Sequence, residues 1–302
     1  MTVPGVVPEA YAQMIEVREG DAGELWIGAL PGLVDSLLRD WGLRITGGTR
    51  YGFVAIVVPV AQDDGTPAAL KISYPDDESA GEAPALAAWD GDGTVTLLRR
   101  DESGFALLLE WLDPERSLFT VPVDEGVEVI GGLLAALHRT PAPAGVASLA
   151  EESRRWLETV PRDWEAYCAD QDRRLLETAL DTFRDLGPEA GDRLLHRDLH
   201  YGNVLAATRE PWLAIDAKGM AGDPGYDVLP AIWNQLDLLL AADDPHAAVR
   251  RRVDHLCEAA GIDRERAYRW TGARAVEDLM WQMRTGNGGP GGGILIAEAL
   301  VR

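Results

Sequence analysis

The sequence predicts an α+β fold of two lobes, a small β-rich N-terminal lobe over residues 1–112 and a larger α-helical C-terminal lobe over residues 113–302. Three observations carry that prediction. At 302 residues the chain exceeds what one compact core usually holds. Its composition, 46% hydrophobic and 26% charged, is that of a folded protein rather than a disordered one. Short runs rich in β-branched residues crowd the first third, whereas helical spacing of apolar residues dominates past Asp113-Pro114.

Taken in order, residues 22–41 carry a helical pattern, with Pro31 marking a break or kink. GLRITGGTR, YGFVAIVVPV and TPAALKIS then read as three strands, separated by Gly-Gly and by Asp-Asp-Gly. DDESAGEAPALAAWDGDG reads as a helix ending at Gly91. TVTLLRRD and GFALLLEWL supply two further strands about a turn at Ser103-Gly104, making five strands and one helix. Helices follow over residues 124–139, 151–169 and 171–186. LLHRDLHYGNVLAAT and PWLAIDAKG interrupt them as loop, strand, turn and strand. Helical periodicity returns from Asp227, and the glycine-rich stretch at 286–293 forms a flexible joint before a last short helix.

The charge balance narrows the partners. A net charge of −22 repels nucleic acid and an anionic membrane surface, and attracts a small polycation. Solubility alone also accounts for surface acid. The apolar run at 53–60 is too short to span a bilayer, and MTVPGVVPEAYAQ lacks the pattern of a secretory signal. Cys168 and Cys257 are far apart and lack metal spacing, so a disulfide framework is not expected and a reducing cytoplasm is. A monomer or weak dimer is the expected state. Of 28 basic residues only Lys71 and Lys218 are lysine, leaving 26 arginines. A lysine retained in such a chain points to a task that a planar guanidinium cannot perform.

The strongest motif is His196-Arg197-Asp198-Leu199-His200-Tyr201-Gly202-Asn203, which fits the kinase catalytic-loop pattern H-R-D-L-x-x-x-N at every specified position. Asp198 would accept the proton of an attacking hydroxyl, and Asn203 would turn back onto magnesium. Thirteen residues on, the apolar strand Trp212-Leu213-Ala214-Ile215 delivers Asp216, a second magnesium ligand. Metal chelation by His196, Asp198 and His200 is the rival, and it lacks a further ligand at fitting spacing. Lys71 ends Ala68-Ala69-Leu70-Lys71, which is similar to the V-A-I-K strand whose ammonium grips ATP phosphates. Its carboxylate partner is Glu82, or Glu78 if Pro84 forces the helix to start earlier. Residues 107–112 read as a buried strand whose Glu110 carbonyl and Leu112 amide, on either side of Trp111, would meet adenine. Gly47, Gly48 and Gly52 form either a phosphate-covering loop or a plain hairpin. Asp227 opens the helix at Val228 and reads as its N-cap.

With those residues in place, the chain resembles the aminoglycoside and hydroxyurea antibiotic resistance kinases, and among them the streptomycin 6-kinases. The resemblance spans nearly the whole chain. It rests on Leu195 to Ala206, on Arg209-Glu210-Pro211-Trp212-Leu213-Ala214-Ile215-Asp216, and on Gly222-Asp223-Pro224 with Asp227. Ala88 to Gly93 and Leu107 to Pro114 match as well. The resemblance implies a bilobal protein-kinase-like fold, ATP and magnesium as cofactors, Asp198 as base, and O-phosphorylation of a cationic antibiotic of the streptomycin type. Hydroxyurea, another antibiotic or a metabolite is the alternative acceptor, and an inactive binding protein the alternative class. Trp111 departs from the family, which often has Arg there. Asp216 is followed by Ala217-Lys218-Gly219 rather than Phe-Gly, so no phosphorylation-controlled activation loop is expected. Glu277, Asp278 and Trp281 lie where such kinases place acidic substrate contacts; a solvated face with Trp281 in the core is the alternative. Lys71→Arg is expected to lose most activity, and Lys218→Arg much less.

Overall fold

The computed structural model describes residues 5–285 and 291–301. Two helices come first, α1 (Glu9–Glu19) and α2 (Asp21–Asp40). The sequence pattern predicts only the second, because α1 buries just Tyr11 and Ile15, one turn apart. Pro31 does not break α2, which runs continuously through it. Leu30, Val34 and Leu37 share one buried face, and that packing holds the helix together across the missing amide.

An antiparallel sheet follows. Strands β1 (Arg44–Ile45) and β2 (Arg50–Tyr51) lie end to end along β3 (Ala55–Ala61), which pairs with β4 (Pro67–Ser73). Helix α3 (Glu82–Trp89) leads to β5 (Leu97–Arg100) and β6 (Ala106–Glu110), and β6 returns to pair with β4. The five expected strands are thus six segments, because the expected first strand is split around Gly47-Gly48.

Side-chain alternation sorts this sheet. Ile56, Val58, Val60, Leu70, Ile72 and Leu108 face α1 and α2 in one apolar cluster. Each such buried aliphatic side chain contributes about 1.5–3 kcal/mol. The odd-numbered residues of β4 and β6, including Lys71, Leu107 and Leu109, therefore face the opposite way, toward α3. Leu107, Leu109 and Leu112 belong to a second, larger core with α3 and the helical region, so the main core runs across the 112/113 boundary.

Beyond it lie β7 (Asp113–Ser117), α4 (Val123–Leu137), β8 (Ala147–Ser148), α5 (Leu149–Tyr167) and α6 (Arg173–Leu186). Next come the short strands β9 (Arg193–Leu195), β10 (Val204–Ala206), β11 (Trp212–Ala214) and β12 (Met220–Gly222). They form two three-stranded sheets, β11-β10-β7 and β8-β12-β9, which hold the loops between them in register. Helices α7 (Leu229–Ile232), α8 (Leu236–Leu240), α9 (Pro245–Ala260), α10 (Arg264–Thr285) and α11 (Gly291–Leu300) complete the chain. Of the expected glycine-rich joint, residues 286–290 lie outside the described residues, and Gly291 already begins α11. Among the described residues, no helix is long and apolar enough to cross a membrane.

Candidate active site

Lys71 leaves β4 on the face turned toward α3 and is 6% exposed. Its ammonium donates to both Glu82 oxygens at 2.6 Å and to Asp216 Oδ1 at 2.5 Å. Pro84 does not displace the helix start, because it falls in the first turn, where amides have no intrahelical acceptor. Glu82 is therefore the partner. Glu78 instead lies 3.6 Å from Lys218 and 3.7 Å from Arg197. Burial works to lower the Lys71 pKa, but Asp216 and Glu82 outweigh it and hold the ammonium above the usual lysine range.

The catalytic-loop segment is held from beneath. Asp227 is fully buried, and its carboxylate accepts the backbone N–H of His196 at 2.8 Å and of Arg197 at 2.7 Å. His138 Nε2 meets the same carboxylate at 3.0 Å. This corrects the N-cap expectation for Asp227. The residue sits inside a 3-10 turn (Pro224–Val228) whose cap is Asp223, which accepts from Gly225 N. Arg197 has φ +68°, a left-handed conformation costing about 1–3 kcal/mol. Its amide on Asp227 and its carbonyl on Arg274 Nη2 at 2.6 Å offset that strain.

His196 serves as a strut. Its Nε2 pairs with the Ile215 carbonyl at 3.0 Å and its Nδ1 receives the Asp198 amide at 3.3 Å. Burial lowers its pKa to about 4, so the ring is neutral. Trp89 stacks on it at 6.2 Å, and the Trp89 indole N–H donates to the Leu137 carbonyl at 3.1 Å. Both His196 ring nitrogens are thus in use, which removes it from the three-residue chelating set, and His200 Nδ1 accepts from Gly202 N. Among the described residues, no group of three or more His, Cys, Asp or Glu is arranged to hold a metal.

Asp198 projects into a cleft of about 1460 Å³ lined also by Asn203, Asp216 and Lys218. Burial pushes its pKa up, while His200 and Lys218 pull it back. Asn203 Nδ2 donates to the Asp198 carbonyl at 2.8 Å. Asp216 follows β11 with φ +61° and is about a third exposed. Burial would raise its pKa, but Lys71 and Lys218 hold it well below the usual carboxylate range. The backbones of Gly81 and Gly219 pass so close that a Cβ on either would strike the other segment, so α3 and the post-Asp216 loop meet only through glycine.

Across the cleft, α10 presents Glu277, Asp278 and Trp281. Trp281 is 40% exposed, so its ring is not packed in the core. Burial and then Asp278 push Glu277 up to about 8, and burial also raises Asp278. Arg274, one turn before Asp278, is tied to the carbonyls of Arg197 and Tyr226. A smaller recess of about 290 Å³ adjoins Asp198, walled by Phe119, His200, Trp233, Gln235 and Asp278. Gly52 lies at the β2–β3 hairpin tip on the cleft rim, where Gly47 and Gly48 do not reach. The segment Glu110-Trp111-Leu112 lies at the end of β6, apart from the cleft lining. Its Glu110 carboxylate is held by Arg209 at 3.0 Å and by Thr96.

Sequence reasoning missed Asp227's bonds, His138, Trp89 and Arg274. The Gly222-Asp223-Pro224 string with Asp227 was the one local signal for the first; the rest act across long chain separations. It also set Lys218 apart from the chemistry, yet Lys218 lines the cleft.

A lysine paired with a helix carboxylate, a catalytic-loop aspartate and a strand-end aspartate, set in a cleft beside a β-sheet, define a phosphotransferase of the kinase-like fold. The model of the aminoglycoside/hydroxyurea antibiotic resistance kinases matches residues 40–286, and the chain belongs to that family. It is 43% identical to the streptomycin 6-kinase of Streptomyces glaucescens, covering 93% of this chain and 92% of that one. It is 42% identical to the hydroxyurea phosphotransferase of Kitasatospora aureofaciens, over 98% of this chain and 87% of that one. Among solved structures, the macrolide 2'-phosphotransferase of Brachybacterium faecium shares the fold, with TM-score 0.55, 18% identity, and coverage of 89% and 97%.

Proposed function

We propose that the protein transfers the γ-phosphoryl group of ATP to a hydroxyl of streptomycin, as a 6-phosphotransferase conferring resistance. The observation that carries this reading is the cleft itself. One wall offers Asp216 and Asn203, with Lys71 directly behind Asp216, to a polyphosphate and its metal, and the other offers Glu277, Asp278 and Trp281 to a cation. Streptomycin, with two guanidinium groups and a secondary amine, suits such a wall; uncharged hydroxyurea offers it hydrogen bonds but no ion pair.

In this mechanism Lys71 grips the α- and β-phosphates. Asn203 and Asp216 would hold magnesium. Asn203's amide nitrogen is already committed to the Asp198 carbonyl, which leaves its oxygen for the cation. Two oxygen donors suit that ion, which takes few ligands from protein and completes its shell with phosphate and water. When bound, it neutralises polyphosphate charge. Asp198 orients the acceptor hydroxyl and takes its proton as the oxygen bonds to the γ-phosphorus. The bond from that phosphorus to the β,γ-bridging oxygen breaks, and ADP leaves with the electron pair. The residues from Glu110 to Leu112 would border adenine. A cytoplasmic monomer or weak dimer, with Cys168 and Cys257 free and buried, fits a supply of ATP.

The test is ADP release across streptomycin, other aminoglycosides, tuberactinomycin peptides and hydroxyurea. Streptomycin should support turnover, and Asp198→Asn should cut it by roughly 10²–10⁴ with folding intact. Bacteria expressing the protein should tolerate streptomycin and lose that tolerance with the same variant. Robust release with hydroxyurea and none with streptomycin would reassign the acceptor.

A further inference from the structure

The chain holds only two lysines, and the fold brings one onto the cleft lining and the other behind it, against Asp216. They are anchored differently. Lys71 sits behind the cleft lining, clasped by two carboxylates at 2.5–2.6 Å. Lys218 stands on the lining itself, with a side chain 15% exposed. Its ion pair, Glu78 at 3.6 Å, is long, and that acid is 57% exposed. Such a pair is worth little, so it does not explain why an ammonium is kept there.

The backbone around Lys218 is fixed with care. Its N–H donates to the His196 carbonyl at 3.0 Å, and His196 Nε2 pairs with the Ile215 carbonyl on the other side of Asp216. Gly219 and Gly81 lock the next residue against α3. Lys218 therefore stands beside the catalytic loop, and its charge acts on both Asp216 and Asp198. Arg274 also reaches Asp198 with its charge, but its guanidinium donates to the Arg197 and Tyr226 carbonyls. Arg197, on the same lining, holds Glu78 at 3.7 Å and lends its charge to Glu277 and Asp278.

We propose that Lys218 is a catalytic residue that contacts the transferring γ-phosphoryl group, between the proton acceptor Asp198 and the strand-end Asp216. This rests on the phosphotransfer function proposed for the cleft. Lys71 then holds the nucleotide, whereas Lys218 stabilises the charge on the phosphoryl oxygens as the bond to ADP breaks and the bond to the acceptor forms. A flexible stem lets one ammonium follow the group over that path.

The division of labour can be measured on the full chain by calorimetry with magnesium, using ADP and β,γ-imido-ATP as probes, alongside kcat with streptomycin. In Lys218→Met, ADP should bind as in the wild type, while the preference for the imido analogue over ADP falls at least about tenfold. The kcat should fall roughly 10²–10³ with little change in KM for streptomycin. Lys71→Met should weaken both nucleotides together. Lys218→Gln, which keeps a donor for Glu78, is measured in parallel, so that misfolding of one variant does not decide the question. Equal loss of ADP and analogue, or an unchanged preference in either folded variant, would overturn the assignment. The binding arm reads Lys218 even if streptomycin proves the wrong acceptor, whereas a wild type that binds neither nucleotide breaks the phosphotransfer function itself.

Discussion

On the donor wall of the cleft Lys71 is closely paired, with Glu82 and Asp216 at 2.5–2.6 Å. On the acceptor wall Glu277 and Asp278 crowd each other, and Arg274 approaches Asp278 only to 4.0 Å. The shifts follow. Lys71 and Lys218 drive Asp216 below the usual carboxylate range, while burial drives Glu277 and Asp278 above it and also raises Glu82 and Asp198. The Lys71 cluster of the donor wall is paired before any ligand arrives. The acceptor wall carries an electrostatic deficit that a cationic ligand relieves, which is a physical basis for selecting one.

Disturbing the donor wall should do the greater damage. Asp216→Ala removes the proposed magnesium donor and leaves Lys71 with Glu82 alone, so kcat/KM for ATP should drop on the order of 10²-fold or more. The melting temperature without nucleotide should stay close to wild type, since Asp216 is about a third exposed. Near-normal turnover by Asp216→Ala would remove the distinction between the walls.

The acceptor wall should respond more gently and in a pH-dependent way. Burial and the neighbouring Asp278 push Glu277 from the ordinary 4.5 up to about 8, so its ionised fraction grows as pH rises through 8. The KM for streptomycin should therefore fall between pH 6.5 and 8.5. Glu277→Gln should abolish that slope and raise KM about tenfold at the upper end. Stability runs the other way. A folded pKa above the unfolded one contributes stability that is full below 4.5 and is lost as pH rises through about 8. Glu277→Gln should thus melt higher than wild type at pH 8.5, and an equal or lower melting point there would mean that Glu277 is not strained by burial.

Salt gives the smallest expected effect. With a net charge of −22, screening at ~8 Å in physiological salt weakens attraction for the drug and eases repulsion of the nucleotide. Raising ionic strength should increase KM for streptomycin a few-fold and leave that for magnesium-ATP flat or lower. Parallel increases would show that the walls do not differ in the charge of their ligands.

What could be seen in the sequence was what lies close together in it. The eight residues from His196 to Asn203 form a contiguous string, and Lys71 stood out in a chain that otherwise uses arginine. The supports beneath them are long-range. Asp227 reaches back 30 residues to the Arg197 amide, and Arg274 reaches 77 to its carbonyl, and no local pattern encodes either contact. The N-cap reading of Asp227 failed because a capping aspartate and one turned inward from a 3-10 turn look alike in sequence. Two-residue strands such as β8 are too short to show a period. Helix α1 escaped because two buried residues make no stripe.

Helix α3 is fastened at both ends, by Glu82 to Lys71 and by Trp89 to the end of α4 and to His196. In protein kinases the placement of the corresponding helix is a throttle, moved to start and stop the enzyme. Here that helix is already seated by contacts within the fold. A drug molecule reaching the cleft meets Lys71 and Glu82 already paired, so drawing them together adds no step to its disposal. Selection for stronger resistance would then have no brake on this helix to release, and the abundance of the enzyme is the simpler thing to change.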